Sequence, residues 1–141
     1  MAVDATGELY VLSFGDGSAA NEGTTVINTA TDAVISQGVT DLAFGSPIVI
    51  SGDNEYYVSS SNTVKVYNVK TKTTATNFIT DGTVITTPYA ITVDDVTGEV
   101  FVADAKTYVV NGTVSAFDKT GKLEYSFTAG AIPGKIALIK Q

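Results

Sequence analysis

One pattern occurs three times in this chain of 141 residues and restricts its fold more than any other feature. An apolar strand leads into an acidic turn with Gly or Asn, and a second apolar strand follows. The three copies are Met1–Val11, Ile48–Val58 and Ile91–Val102. With Glu8, Glu55 and Glu99 taken as equivalent, the copies are spaced by 47 and 44 residues. A period of that length indicates a repeat architecture.

Each repeat continues with two further strands. The third strands are predicted at 25–28, 64–68 and 114–118, and the fourth strands at 33–35, 75–79 and 123–127. In the last of these, Leu123, Tyr125 and Phe127 alternate with polar residues, which is the period of a half-solvated strand. Loops that contain Pro47, Pro88 and Pro133 lead into the next first strand, where a proline is tolerated because no ladder donor is needed.

The second strands, such as Val100–Ala103, are apolar on both faces. In a β-propeller each blade packs between two neighbours, which would bury both faces of its inner strands. The predicted fold class is therefore all-β: an incomplete β-propeller of about three four-stranded antiparallel blades. We expect units at about 1–45, 46–87 and 88–130, with a final first strand of the closing type at 135–140. A sandwich or a single barrel is the alternative.

Two segments carry a family resemblance, Val93–Asp104 and Gly112–Asp118. They resemble the YncE-like and NHL-like propellers, including surface-layer-type repeat proteins. The similarity covers nearly the whole chain and is strongest from Pro88 to Gln141, whereas the middle unit departs from it at Ser51–Asn54. Similar propellers are often extracytoplasmic, so the resemblance implies a periplasmic or cell-surface parent protein. The chain itself shows no export signal.

The ends of the chain suggest a fragment. Met1 aligns inside a first strand, and Ile136–Ile139 reads as a first strand with no second strand after it. Closed propellers often finish with a strand that completes the blade begun by the N-terminus. Because a closed ring typically needs four to eight blades, an arc of three would expose apolar faces. We therefore expect self-association, as a dimer approximating six blades.

The residues that the chain lacks exclude much chemistry. It has no Cys, His, Trp or Arg, and its net charge is −7 with eight lysines as the only basic side chains. Without Cys or His there is no thiolate nucleophile, Ser-His-Asp triad or HExxH zinc site. No basic stripe for nucleic acid and no apolar stretch that could span a membrane is present. We predict no catalytic residues, no metal and no cofactor.

Two insertions between second and third strands hold the candidate binding residues. In the last unit, Asp104, Lys106, Tyr108 and Asn111 could contact a sugar ring or a peptide, although Tyr108 could equally cover the blade edge. In the first unit, the insertion from Phe14 to Gly23 contains the candidates Asp16 and Asn21. That insertion superficially resembles a phosphate-binding loop, but it lacks the lysine and the helix.

Acidic residues at the turns allow two weaker interpretations. The carboxylate oxygens of these residues could bind calcium. The EF-hand spacing is absent, however, and a turn-forming role is favoured. The candidates are Asp4, Asp53, Asp94, Asp95 and Asp104. The one cluster that could do acid–base work combines Asp94 and Asp104 with Lys106.

Two functions are compatible with these features. The first is a non-catalytic binding or scaffolding module, part of a larger propeller that presents loops to a glycan, a peptide or a protein. The alternative is a fragment of a propeller enzyme, a hydrolase or lyase, whose catalytic residues lie in missing blades. The sequence does not identify the ligand.

Overall fold

The structure is a computed structural model that describes residues 1–14, 22–37, 41–43 and 45–139. The described residues form twelve strands. These are β1 (Ala2–Val3), β2 (Glu8–Phe14), β3 (Glu22–Asn28), β4 (Ala33–Gln37), β5 (Ile48–Ser51), β6 (Asn54–Val58), β7 (Val64–Asn68), β8 (Thr76–Asn77), β9 (Pro88–Val93), β10 (Val100–Asp104), β11 (Asn111–Phe117) and β12 (Leu123–Ala131). Within these ranges no helix is long and apolar enough to cross a membrane.

The strands form three separate four-stranded sheets. Each sheet is made of four consecutive strands, with β1–β4 in the first, β5–β8 in the second and β9–β12 in the third. Every pairing between neighbours is antiparallel. The predicted all-β class with three four-stranded antiparallel blades is confirmed, and we call the sheets the first, second and third blades.

Apolar side chains fill the two seams between neighbouring blades. Between the second and third blades, Tyr56 and Phe117 pack on either side of Phe78, with ring centroids 5.2 and 6.0 Å from that ring. Between the first and second blades, Tyr10 and Val26 pack against side chains of β5 and β7. Strand β6 of the second blade lies between both seams, and Glu55–Val58 in it are all buried. The predicted double burial of the inner strands follows from this stacking.

The turn between β5 and β6 corrects the alignment of the repeats. It is shorter than the others, because Ser51 already pairs with Asn54, and the next pair is Ile50 with Glu55. In the other blades the last pairs before the turn are Val3 with Leu9 and Val93 with Val100. Glu55 therefore corresponds to Leu9 and Val100, not to Glu8 and Glu99. A shift of one residue reverses the face of a strand, so Glu55 points into a seam.

The segment after β12 also differs from its prediction. Residues 135–139, the described part of the predicted final strand at 135–140, belong to no strand. Ile136 and Leu138 instead pack on the outward face of the third blade, against a cluster that includes Phe101 and Ala116. A strand needs a ladder partner along its edge, and this segment has its neighbour on a face.

Candidate binding site

The carboxylate of Asp104 fixes the loop between β10 and β11. It accepts hydrogen bonds from the backbone N–H groups of Thr86 at 3.0 Å, Thr87 at 2.8 Å and Lys106 at 2.8 Å. In addition, the Thr87 hydroxyl donates to the Lys106 carbonyl at 2.7 Å. The loop before β9 and the loop after β10 are thus joined at one end of the third blade. Asp104 is 4% exposed, and its position is structural.

Two residues of this loop adopt left-handed backbone conformations. Lys106 has φ of 49° and Tyr108 has φ of 66°. Such values are uncommon for residues other than glycine, and a bulky side chain holds them only where the surroundings enforce them. Here the conformation sets the Tyr108 ring edge-to-face against Tyr89, with centroids 5.8 Å apart and planes at 81°. The loop therefore presents an aromatic pair.

This aromatic pair borders a cleft of about 520 Å³, which we call the tyrosine cleft. It lies between the second and third blades, at the end where second strands run into third strands and fourth strands into first strands. Tyr89 and Tyr108 are 42% and 48% exposed, so both rings are open to a ligand. Besides the rings, its described lining includes Ser46, Pro47, Asn62, Thr87 and Pro88.

The structure distributes the predicted binding residues unevenly. Tyr108 borders the tyrosine cleft, whereas Asp104 lies beneath the loop and holds it. Lys106 contributes backbone groups to the same anchor. Asn111 is exposed at the start of β11, where it pairs with Ala131. Asp16 and Asn21 lie outside the described residues. The ligand roles of all six residues stay predictions.

Sequence reasoning missed Tyr89, and a signal for it exists. Tyr89 follows Pro88 directly and is the second residue of β9. In an antiparallel blade, the start of the first strand and the loop between the second and third strands lie at the same end of the sheet. An aromatic residue at both of these places in one blade therefore predicts a pair, here Tyr89 with Tyr108.

The structure does not bring the weaker acid–base candidates Asp94 and Asp104 together. Asp94 follows β9, and its N–H donates to the Glu99 carbonyl at 2.9 Å, at the turn that leads into β10. Asp104 ends β10, opposite Pro88 at the start of β9. The two carboxylates thus lie at opposite ends of the blade, separated by roughly 16 Å of strand. The direction of the strands therefore keeps Asp94 away from Asp104 and Lys106.

Two of the other acidic turn residues, Asp4 and Asp94, accept hydrogen bonds within their own turns. Asp4 Oδ1 accepts from the N–H groups of Thr6 and Glu8, both at 2.9 Å, and Asp94 Oδ1 accepts from that of Val96 at 2.8 Å. This is the turn-forming role of an Asp side chain. Among the residues that the structure describes, no group of three or more His, Cys, Asp or Glu side chains is placed to hold a metal ion.

A second feature that the sequence did not reveal is the buried carboxyl of Glu55. The side chain is 0% exposed in the seam between the first and second blades. Burial raises the pKa of Glu55 from 4.5 to about 7, while the hydrogen bond from Thr24 opposes the rise. Burial and the negative charges of Asp41 and Glu55 raise the pKa of Tyr57 to about 12. For Tyr67, burial and the charge of Glu55 raise the pKa as well.

Comparison with known proteins supports the fold and goes no further. No protein-family model and no curated protein matches this chain. A solved structure that is similar to it is a quinoprotein alcohol dehydrogenase-like protein from Bacteroides thetaiotaomicron, with a TM-score of 0.67 and 15% identity. The match covers 92% of this chain and 33% of that one, so this chain spans about a third of the length of its structural relative. Together with the three stacked blades, this similarity shows an arc of a β-propeller.

Proposed function

We propose that this chain is a non-catalytic binding module whose ligand-binding surface is the tyrosine cleft. The observation that carries the proposal is the edge-to-face pair of Tyr89 and Tyr108 at the border of the cleft. Exposed aromatic rings on loops held by a rigid scaffold are typical of binding surfaces. Because Asp104 and Thr87 anchor the loop, little ordering of Tyr108 remains to oppose binding.

The chemistry of the cleft favours a neutral glycan among the possible ligands. None of its described lining residues carries a charged side chain. The rings supply flat apolar surface. The side-chain oxygens of Asn62 and Thr87 supply acceptors beside them, while the same side chains donate to the Thr86 and Lys106 carbonyls. This combination matches a sugar ring with one apolar face and hydroxyls at its rim. A charged peptide would lose hydration here without gaining an ionic partner.

The same lining supports a binding role without catalysis. General acid–base work needs a positioned proton donor or acceptor near the ligand. The nearest carboxylate of this loop, Asp104, already accepts three backbone hydrogen bonds. We propose in addition that the chain comes from the YncE-like or NHL-like repeat proteins and from an extracytoplasmic parent. The motif in Val93–Asp104 supports the proposed origin from these repeat proteins.

A glycan array followed by calorimetric titration of the full chain tests the proposal. We expect a neutral oligosaccharide to bind, Tyr108→Ala to weaken it at least tenfold, and Tyr108→Phe to retain most of the affinity. Val96→Ala is the control, because Val96 is 77% exposed at the opposite end of the third blade. Equal affinity for Tyr108→Ala and the wild type, or an array without a bound glycan, would refute the role of the cleft.

A further inference from the structure

Strand β12 differs from the outer strands of the other two blades. It spans nine residues, whereas β4 has five and β8 has two. It is the last strand of its sheet, and among the described residues only β11 pairs with it in a ladder. Edge strands are usually short or carry Lys or Pro, which discourages pairing with a further strand. Strand β12 contains neither residue, and Glu124 is its only charged side chain, so its outer edge is open to another strand.

The two faces of β12 differ in chemistry. By register, Tyr125, Phe127 and Ala129 lie on the outward face of the third blade, beside its apolar cluster. Ser126 and Thr128 lie on the face that is turned toward the second blade. Phe127 is the middle residue of the strand and is 52% exposed. A strand added at the outer edge would therefore meet apolar side chains on one face and hydroxyl groups on the other.

The sequence of β12 is complementary to itself about Phe127. An antiparallel pairing of two β12 strands centred on this residue sets the large Tyr125 opposite the small Ala129. It also sets Ser126 opposite Thr128, a pair that can share a hydrogen bond, and it sets the two Phe127 rings opposite each other. A centre between two residues would instead place hydroxyls opposite aromatic rings. Size and polarity therefore favour Phe127 as the centre.

The irregular positions of β12 fit the same centre. Against β11, the strand carries one extra residue at Glu124 and another within 129–130. These bulges lie at nearly equal distances before and after Phe127, so in the pairing each bulge faces the other and the register between them is kept. The Leu123 N–H already donates to Asp81 Oδ2 at 2.7 Å, which confines the pairing to the part of the strand around Phe127. The Glu124 carboxylates of the two copies then lie roughly 20 Å apart, so they repel each other only weakly.

We propose that two copies of this chain associate through the outer edges of β12, as an antiparallel ladder over Tyr125–Ala129 with Phe127 on the two-fold axis. The two third blades then form one continuous eight-stranded sheet. Because only about five residues of each copy pair, the contact lies at the small end of specific interfaces, and the dimer is reversible with a dissociation constant in the micromolar range. This edge contact differs from the six-blade dimer expected from the sequence, which would join blade faces.

Analytical ultracentrifugation of the full chain at roughly 5 and 200 µM tests the proposal. We expect the wild type to change from monomer to dimer over this range. Phe127→Lys and Phe127→Glu should each stay monomeric, because like charges would face each other on the axis, and an equimolar mixture of the two should dimerise again. Val34→Lys is the matched control and should dimerise, since Val34 is 66% exposed on β4, the outer strand of the first blade. A monomeric wild type at the higher concentration, or a dimer that persists in both Phe127 variants, overturns the proposal.

A single cysteine tests the register without adding a charge. The chain contains no cysteine, so a disulfide formed by Phe127→Cys joins two copies. Directly opposed residues of antiparallel strands have Cα atoms about 5 Å apart, which a disulfide can span. We expect a covalent dimer under mild oxidation, and none for the control Val34→Cys. Circular dichroism melts establish that each variant is folded. A wild-type dimer whose Phe127→Cys variant forms no disulfide has a different interface, such as the blade faces, and overturns the proposal.

Discussion

Glu55 Oε1 lies 3.5 Å from the hydroxyl of Thr24, across the seam between the second and first blades. The other carboxyl oxygen of Glu55 has no hydrogen-bond partner among the described residues. Leu9 and Val100 occupy the equivalent positions in the other blades. Glu55 therefore places an ionisable side chain where the other blades have an apolar one. Burial and the lack of a hydrogen-bond partner disfavour the charged form of a carboxyl group, so the protonated form of Glu55 is favoured.

This carboxyl should make the stability of the chain depend on pH. The pKa of Glu55 is about 7 in the folded chain against 4.5 as its ordinary value, so the folded state binds more protons between these limits. The free energy of unfolding contributed by Glu55 is therefore fully present below pH 4.5 and is lost as the pH rises through 7. The expected loss is about 3 kcal/mol, measurable by urea unfolding at pH 5 and pH 8.

Glu55→Gln isolates this contribution. We expect the variant to lose most of the difference between pH 5 and pH 8, and to be more stable than the wild type at pH 8. Glu8→Gln removes a carboxyl from the same seam region, at the turn of the first blade, and should retain the difference. A wild type whose stability is the same at both pH values would contradict the assignment to Glu55.

The blade count was predictable from the sequence because it depends on repeated local signals. Apolar runs, Asp and Gly turns and prolines each mark a strand or its end, and three copies reinforce one another. The face that Glu55 occupies was not predictable in the same way. The orientation of Glu55 depends on the turn between β5 and β6, which is one or two residues shorter than the equivalent turns. An alignment that matches acidic residues therefore pairs Glu55 with Glu8 and Glu99.

The candidate site was predictable only in part. Tyr108 stood out because it lies in an insertion, and the structure places it on a cleft. Asp104 also stood out, but its carboxylate turns inward to the backbone of Thr86 and Thr87. Those partners lie 17 and 18 positions away in the chain, and one sequence does not show such a contact.

Gly121→Ala should destabilise the chain far more than Gly82→Ala. The two glycines have nearly the same backbone, with φ of 81° and 83°, so the strain of an alanine in the left-handed region is common to both. A Cβ on Gly121 would overlap the carbonyl of Phe78, whereas a Cβ on Gly82 meets no atom within 4 Å. We expect about 1 kcal/mol for Gly82→Ala and at least about 3 kcal/mol for Gly121→Ala in urea unfolding.

Phe78 should be among the most sensitive apolar positions. It follows directly after β8, is 3% exposed, and contacts both Tyr56 of the second blade and Phe117 of the third. Phe78→Ala should lower the free energy of unfolding by about 4 kcal/mol, since it leaves a cavity between two blades. Val84→Ala is the control at an exposed site nearby. A loss below about 1 kcal/mol for Phe78→Ala would mean that the two blades do not pack as described.

Asp104→Ala should lower both stability and glycan binding, whereas Asp94→Ala should affect neither strongly. Removing the Asp104 carboxylate leaves three backbone N–H groups without their acceptor, at an expected cost of about 3 kcal/mol. The same loss frees the loop that holds Tyr108 against Tyr89, so affinity should fall even where the variant is fully folded.

Asp94 is the matched control because it is also an aspartate at a strand end of the third blade, and its Oδ1 accepts a hydrogen bond from the Val96 N–H in an exposed turn. Its replacement by alanine should cost about 1 kcal/mol and leave binding unchanged. Urea unfolding and calorimetric titration of both variants give the comparison. If Asp104→Ala bound glycan as tightly as Asp94→Ala, the geometry of the Tyr108 loop would not depend on the carboxylate beneath it.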